Sequence, residues 1–243
     1  MPVDTLAPIA IPSPLDALPE PARRYLSHAL GEGVGVVETV ELEMHGQIKL
    51  GAWRPFKAHQ EIQKRLGMIW KAETRLFGLP VRGFDRVWHG YGMSEWRLLG
   101  FIPMMFAHGR NISRSGLGRM AAETIWIPSR LLESDVRWKQ TGPDSASFEI
   151  DLFGETTVVN LTLAPSGKIE TISFLRWGKP TGLPFGEYPF GGYVDEEATF
   201  DGFTIPSRLR MGWHFGTDRF VSEGEFFRAT IDRAAFSADR RIG

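Results

Sequence analysis

Ser113 to Leu132, SRSGLGRMAAETIWIPSRLL, is the one stretch of helical periodicity in the middle of a chain that otherwise alternates with period two. A helix set between runs of hairpin-forming strands has to lie on their sheet, because neither buries its apolar side alone. Leu117, Met120, Ala121, Thr124 and Ile125 recur at i, i+3, i+4, i+7 and i+8 and form one stripe. Ser113 or Ser115 offers a hydroxyl to the orphan amides of the first turn, and Pro128 ends the helix by pushing Ile127 out of the helical region. The opposite face carries Arg119, Glu123 and Trp126 at i, i+4 and i+7. Two readings of that face stay open. It is either an exposed ion pair, in the weaker Arg-before-Glu order, or a polar face turned into a cavity.

Along the rest of the chain, residues 1–16 read as an extended arm punctuated by prolines, and Leu18 to Leu30 as a helix closed by Gly31 and Gly33. From Gly35 the period changes to two. Val36, Val40, Leu42, Met44 and Ile48 face one way; Glu41, Glu43, His45, Gln47 and Lys49 face the other. Phe56–Lys64, Met68–Arg75, Val81–Tyr91 and Met93–Leu99 continue the alternation, with turn signals every eight to twelve residues. Phe101–Phe106, FIPMMF, breaks the pattern and reads as core packing, with a hydrophobic lid or portal as the alternative. After the central helix, strands resume over Val136–Gln140, Ala146–Leu152, Thr156–Leu163 and Lys168–Trp177. Gly178–Gly192 reads as a long loop. Tyr193–Phe200, Phe203–Phe215 and Arg219–Ile231 then form three antiparallel strands on the tight turns Asp201-Gly202 and Gly216-Asp218.

The expected fold is therefore mainly β (α+β): a strongly curved antiparallel sheet, a half-barrel of about ten or eleven strands. Its concave face is covered by the N-terminal and central helices. No linker or shift in composition divides residues 1–243, which are expected to form a single domain.

Composition narrows the function classes. Lys and Arg number 28 against 29 Asp and Glu, with no basic run, so nucleic acid is not an expected partner. Without cysteine there is no disulfide, thiolate nucleophile or sulfur-bound zinc. The first residues lack the basic-then-apolar pattern of a signal peptide, and no run reaches a membrane span, so a cytoplasmic location is expected, with peripheral membrane contact left open. Eight tryptophans and 17 phenylalanines are enough to build a large core or to line a cavity.

Gly118 to Leu132, GRMAAETIWIPSRLL, resembles the "ryLaE-x-x-W-x-P-x-x-LL" core of an uncharacterised bacterial domain family. LPEPARRYLSHAL near the start and DGFTIPSRLRMGWHF near the end are similar to the same family, and Gly178–Phe190 departs from it. Glu123, Trp126, Pro128, Gly202, Pro206 and Trp213 fall on its matching positions. The resemblance implies a fold like the half-barrel of the lipoprotein localisation factors, and with it a hydrophobic ligand. Fold does not by itself identify that ligand.

The chain holds no phosphate-cradling loop, no nucleophile elbow and no H-x-x-x-H pair, so no cofactor and no metal are expected. One expected function is binding of a small hydrophobic or amphipathic molecule between sheet and central helix. Trp70, Trp88, Tyr91, Trp126 and Trp213 are the expected lining, with Met104, Met105 and Phe106 from FIPMMF. The alternative is a cofactor-independent enzyme of isomerase, cyclase, lyase or hydrolase type. It would use Glu123 with Arg119, or a sheet histidine such as His45 or His89, for acid–base chemistry on an apolar substrate.

Overall fold

The computed structural model describes residues 15–238; the expected arm, up to residue 14, lies outside the described residues. Helix α1 (Glu20–Ala29) leads into six strands: β1 (Thr39–Leu50), β2 (Ala52–Gln63), β3 (Gly67–Leu76), β4 (Leu79–Trp88), β5 (Tyr91–Leu98) and β6 (Ile102–His108). Helix α2 (Arg110–Ala122) and two 3-10 turns, Glu123–Trp126 and Pro128–Leu132, come next. Seven strands complete the chain: β7 (Arg137–Gly142), β8 (Ser145–Leu152), β9 (Glu155–Leu163), β10 (Ile169–Gly178), β11 (Gly186–Phe200), β12 (Phe203–Trp213) and β13 (Glu225–Ser237).

All thirteen strands form one antiparallel sheet in the order β6-β5-β4-β3-β2-β1-β13-β12-β11-β10-β9-β8-β7. Every neighbouring pair is consecutive in sequence except β1 with β13, which join in the middle. The chain thus meanders to one edge, crosses on α2 to the opposite edge, and meanders back. The edge strands β6 and β7 do not pair, so the sheet stays open.

Helix α2 shows how strongly the sheet curves. It packs against β4, β5 and β6 and also against β8, β9 and β10. On a flat sheet β5 and β9 would lie about 40 Å apart at the usual strand spacing. A helix only about 10 Å across touches both, so the sheet is wrapped around it. The two ends approach directly as well: the ring of His89, in the β4–β5 turn, lies 6.5 Å from that of Phe153, in the β8–β9 turn. α1 fills the concave side further along, against β7, β8 and β12.

Inward positions follow the alternation. Val40, Leu42, Met44, Phe56, Ile62 and Met68 from the first meander are buried, as are Phe148, Ile150, Val159, Leu161, Phe174 and Leu209 from the second. The outward face is charged, with pairs such as Arg82–Glu73 and Arg97–Glu95.

Several expectations shift in detail. Among the described residues there are thirteen strands, with Phe101–Phe106 supplying most of an added one, β6, and β11 starts at Gly186 rather than after Gly192. FIPMMF is not core: Phe101 is exposed in the turn before β6, and Ile102, Met104, Met105 and Phe106 are exposed on that edge strand. β13 begins at Glu225, since Phe220–Gly224 is one turn of π-helix. α2 begins at Arg110 behind Gly109, so neither Ser113 nor Ser115 caps it. Ser113 Oγ instead accepts from the Gly92 amide at 2.8 Å. A Cβ on Gly92 would sit 2.6 Å from Ser113 Cα, so only glycine lets the helix come this close to β5.

Candidate functional site

The α-helix ends at Ala122, and Glu123–Trp126 tightens into a 3-10 turn before Ile127 becomes extended ahead of Pro128. In a 3-10 turn residues i and i+3 eclipse, so Trp126 stays on the side of Glu123, and both line one cavity. Its indole is buried and Nε1 donates to the Pro206 carbonyl at 3.1 Å. Arg119 and Glu123 point into the hollow of the sheet, with side chains only 18% and 13% exposed. The exposed-pair reading of this face therefore gives way to the inward one.

Beneath the pair, four residues stand directly opposite one another on adjacent strands: Gln60 on β2, Trp70 on β3, Asp85 on β4 and Ser94 on β5. All four occupy inward positions, where polar groups require partners. Arg119 Nε donates to Glu123 Oε1 at 2.7 Å and Nη1 to Asp85 Oδ2 at 3.2 Å. Gln60 Nε2 donates to Glu123 Oε2 at 2.5 Å, and Ser94 Oγ to Asp85 Oδ1 at 2.6 Å. Each oxygen of both carboxylates thus holds a donor. Arg119 also lies over the Trp70 ring, 5.3 Å from its centroid. Burial works against the charge of Arg119, but Glu123 and Asp85 outweigh it and hold the guanidinium above the ordinary arginine pKa.

A cavity of about 150 Å³ opens between this cluster and the second meander. Its walls are largely apolar, including Ile125, Trp126, Ile172, Phe174, Leu209 and Phe227, and Arg176 joins Asp85, Arg119 and Glu123 as its polar lining. Arg176 stacks on Phe190 and Trp213, with Cζ 4.6 and 5.3 Å from the ring centroids. Burial, together with Arg119 nearby, pushes its pKa down to about 10, so it stays charged at neutral pH. Among the described residues it forms no ion pair or hydrogen bond, and its inaccessible Nε has no partner.

Of the residues expected to act, Glu123, Arg119, Trp126 and Trp70 come together at this cavity. Trp213 stands behind Arg176. His45 faces outward and bonds Asp232 through Nδ1 at 2.8 Å. His89 occupies the β4–β5 turn with φ 47° and packs on Trp88 and Phe153. Neither histidine lines the cavity. Trp88 borders a different hollow with Lys71 and Arg86. Tyr91 is 79% exposed at the turn, and Met104, Met105 and Phe106 are on the exposed edge. Gln60, Ser94 and Arg176 were not anticipated. The signal was a polar residue in an apolar alternation: Gln60 between Phe56 and Ile62, and Arg176 after Ile172 and Phe174.

A larger hollow, about 920 Å³, is a groove on the outward face lined by residues such as Lys57, His59, Lys71 and Arg97. His45–Asp232, Arg82–Glu73 and Arg97–Glu95 pair within it, which makes it a solvated, self-paired surface. Among the described residues no group of three or more His, Asp or Glu side chains is arranged to hold a metal ion, and no helix is long and apolar enough to cross a membrane.

Residues 9–223 match the family of unknown function DUF6544, and the chain belongs to it. Among solved structures, it is similar to a putative outer membrane lipoprotein-sorting protein domain from Vibrio parahaemolyticus, at 11% identity and TM-score 0.45, covering 93% of this chain and 95% of that one. It is also similar to a LolA superfamily protein from Nitrosomonas europaea, at 8% identity and TM-score 0.48, covering 91% and 93%. A DUF1329 family protein from Desulfovibrio piger is similar at 12% identity and TM-score 0.40, covering 94% of each. No curated protein matches in sequence.

Proposed function

We propose that this member of the DUF6544 family binds a small hydrophobic or amphipathic molecule in the cavity between its central helix and the curved sheet. One observation carries the reading: apolar side chains from both meanders and from the helix end converge on a hollow with only four charged groups in its lining. That is the usual form of a small-molecule site. Cavities of roughly 150 Å³ take up a single aromatic ring, so the enclosed part of the ligand is compact. A longer chain would have to leave through the opening. Glu123 and Asp85 spend their acceptors on Arg119, Gln60 and Ser94, which supports a role in anchoring helix to sheet and shaping the cavity.

Native mass spectrometry of protein purified without added ligand, followed by toluene titration watched by methyl NMR, tests the reading. A co-purifying apolar molecule, or toluene shifts centred on the methyls of Ile125, Ile172 and Leu209, is the expected result. Ala122→Leu, which adds bulk at the cavity wall, should abolish those shifts, whereas His45→Ala on the outward groove should leave them unchanged. Methyl shifts scattered over the surface, or none at all in a protein that also carries nothing, would remove the proposal.

A further inference from the structure

Resting on that cavity reading, we infer that the ligand is an organic acid whose carboxylate docks on Arg176 while its apolar body fills the hollow. The argument is one of donors and acceptors. Four charged groups line the cavity, two guanidinia and two carboxylates. Arg119 is committed to both carboxylates, and Gln60 and Ser94 take the remaining oxygens. A cationic or donor-rich ligand would therefore meet carboxylate oxygens that each already hold one donor.

Arg176 is the opposite case. It brings five N–H donors in a fixed fork, and none has a partner among the described residues. Its guanidinium carbon lies 4.6 Å from the Phe190 centroid and 5.3 Å from that of Trp213, in the corner made by two rings inclined at 80° to each other. Contacts of this kind with aromatic rings leave the N–H donors unused, and a fork of such donors matches a planar carboxylate bidentately. An unpaired charge beside apolar walls is costly, and a bound carboxylate would relieve that cost while its hydrocarbon takes up the rest of the space. Arg119 nearby adds positive charge, and Asp85 and Glu123 set negative charge against it.

The test uses three eight-carbon ligands that differ at one end: octanoate, 1-octanol and octylamine. Each is titrated calorimetrically into the unaltered full chain and into Arg176→Met and Arg176→Lys. Octanoate should bind about tenfold or more tighter than octanol, the increment expected of a charge-assisted bond. Octylamine should be weakest. Arg176→Met should bring octanoate down to the level of octanol and leave octanol within about twofold; Arg176→Lys should retain part of the preference. Equal affinity for acid and alcohol, a preference for the amine, or an acid preference that survives Arg176→Met would each overturn the assignment. No binding by any of the three would remove the cavity reading beneath it, an outcome distinct from equal binding. The comparison on the unaltered protein needs no variant, so it decides even if Arg176→Met does not fold.

Discussion

Arg119 and Asp85 are 34 residues apart in the chain and 3.2 Å apart in space, Nη1 to Oδ2, and through them the helix is tied to the fourth strand of the sheet. The same guanidinium holds Glu123, so one arginine bridges two carboxylates on the inner side of a curved sheet.

Arg119→Met should therefore cost about 2–3 kcal/mol in urea unfolding at neutral pH, below the full penalty for a broken buried pair because Asp85 is partly solvated. Glu123→Gln in the same chain should recover part of that loss, since one of the stranded charges is then gone. A double-mutant cycle measures the recovery. Strictly additive losses would show that Arg119 and Glu123 do not act as a unit.

Tyr25 lies on the buried face of α1, 1% exposed, and its hydroxyl has no partner. Burial raises its pKa, and Glu197 adds to the effect. Glu197 itself is occupied: Oε2 pairs with His28 at 2.7 Å and Oε1 accepts the Ile169 amide at 3.0 Å. Removing an unsatisfied buried hydroxyl should be neutral or stabilising by up to about 1 kcal/mol. Tyr25→Phe keeps the ring against Trp138, so a melting temperature at or above that of the parent is expected. A clear loss of stability would mean that the hydroxyl is bonded after all.

Asp135 binds Arg130 through two bonds, 2.7 and 2.6 Å, while the Arg130 side chain is only 2% exposed. The bond to Arg130 is the main cause holding the Asp135 carboxyl below its ordinary pKa. A carboxylate whose folded pKa is depressed stabilises the fold above its unfolded pKa, near 4. That contribution disappears as pH falls through the lower folded value. The parent should melt above Asp135→Asn at pH 7, and the gap should narrow as pH drops below about 4 and then close. A gap that stays constant across the acid range would contradict the assignment.

Local chemistry wrote most of the architecture into the chain. Period-two alternation placed Leu42, Phe56 and Met68 on the inner face and Glu41, Lys57 and Lys71 on the outer one. Turns such as His89-Gly90 and Asp201-Gly202, with φ of 47° and 82°, 50° and 84°, set where the hairpins reverse. FIPMMF misled for a physical reason: its residues are apolar, but it closes a hairpin at the edge of the sheet, where no described strand lies beyond it.

What the sequence determined by itself, then, is most of the strands, the central helix and the pair Arg119–Glu123 one turn apart on it, because those depend on neighbours within a few residues. The tertiary structure decided which way that pair looks and what meets it. Gln60, Asp85 and Ser94 reach Arg119 and Glu123 only because their strands are in one register, and Arg176 shares their cavity only because thirteen strands curl around one helix. Register and curvature are sums over the whole sheet, and no short window of residues contains them.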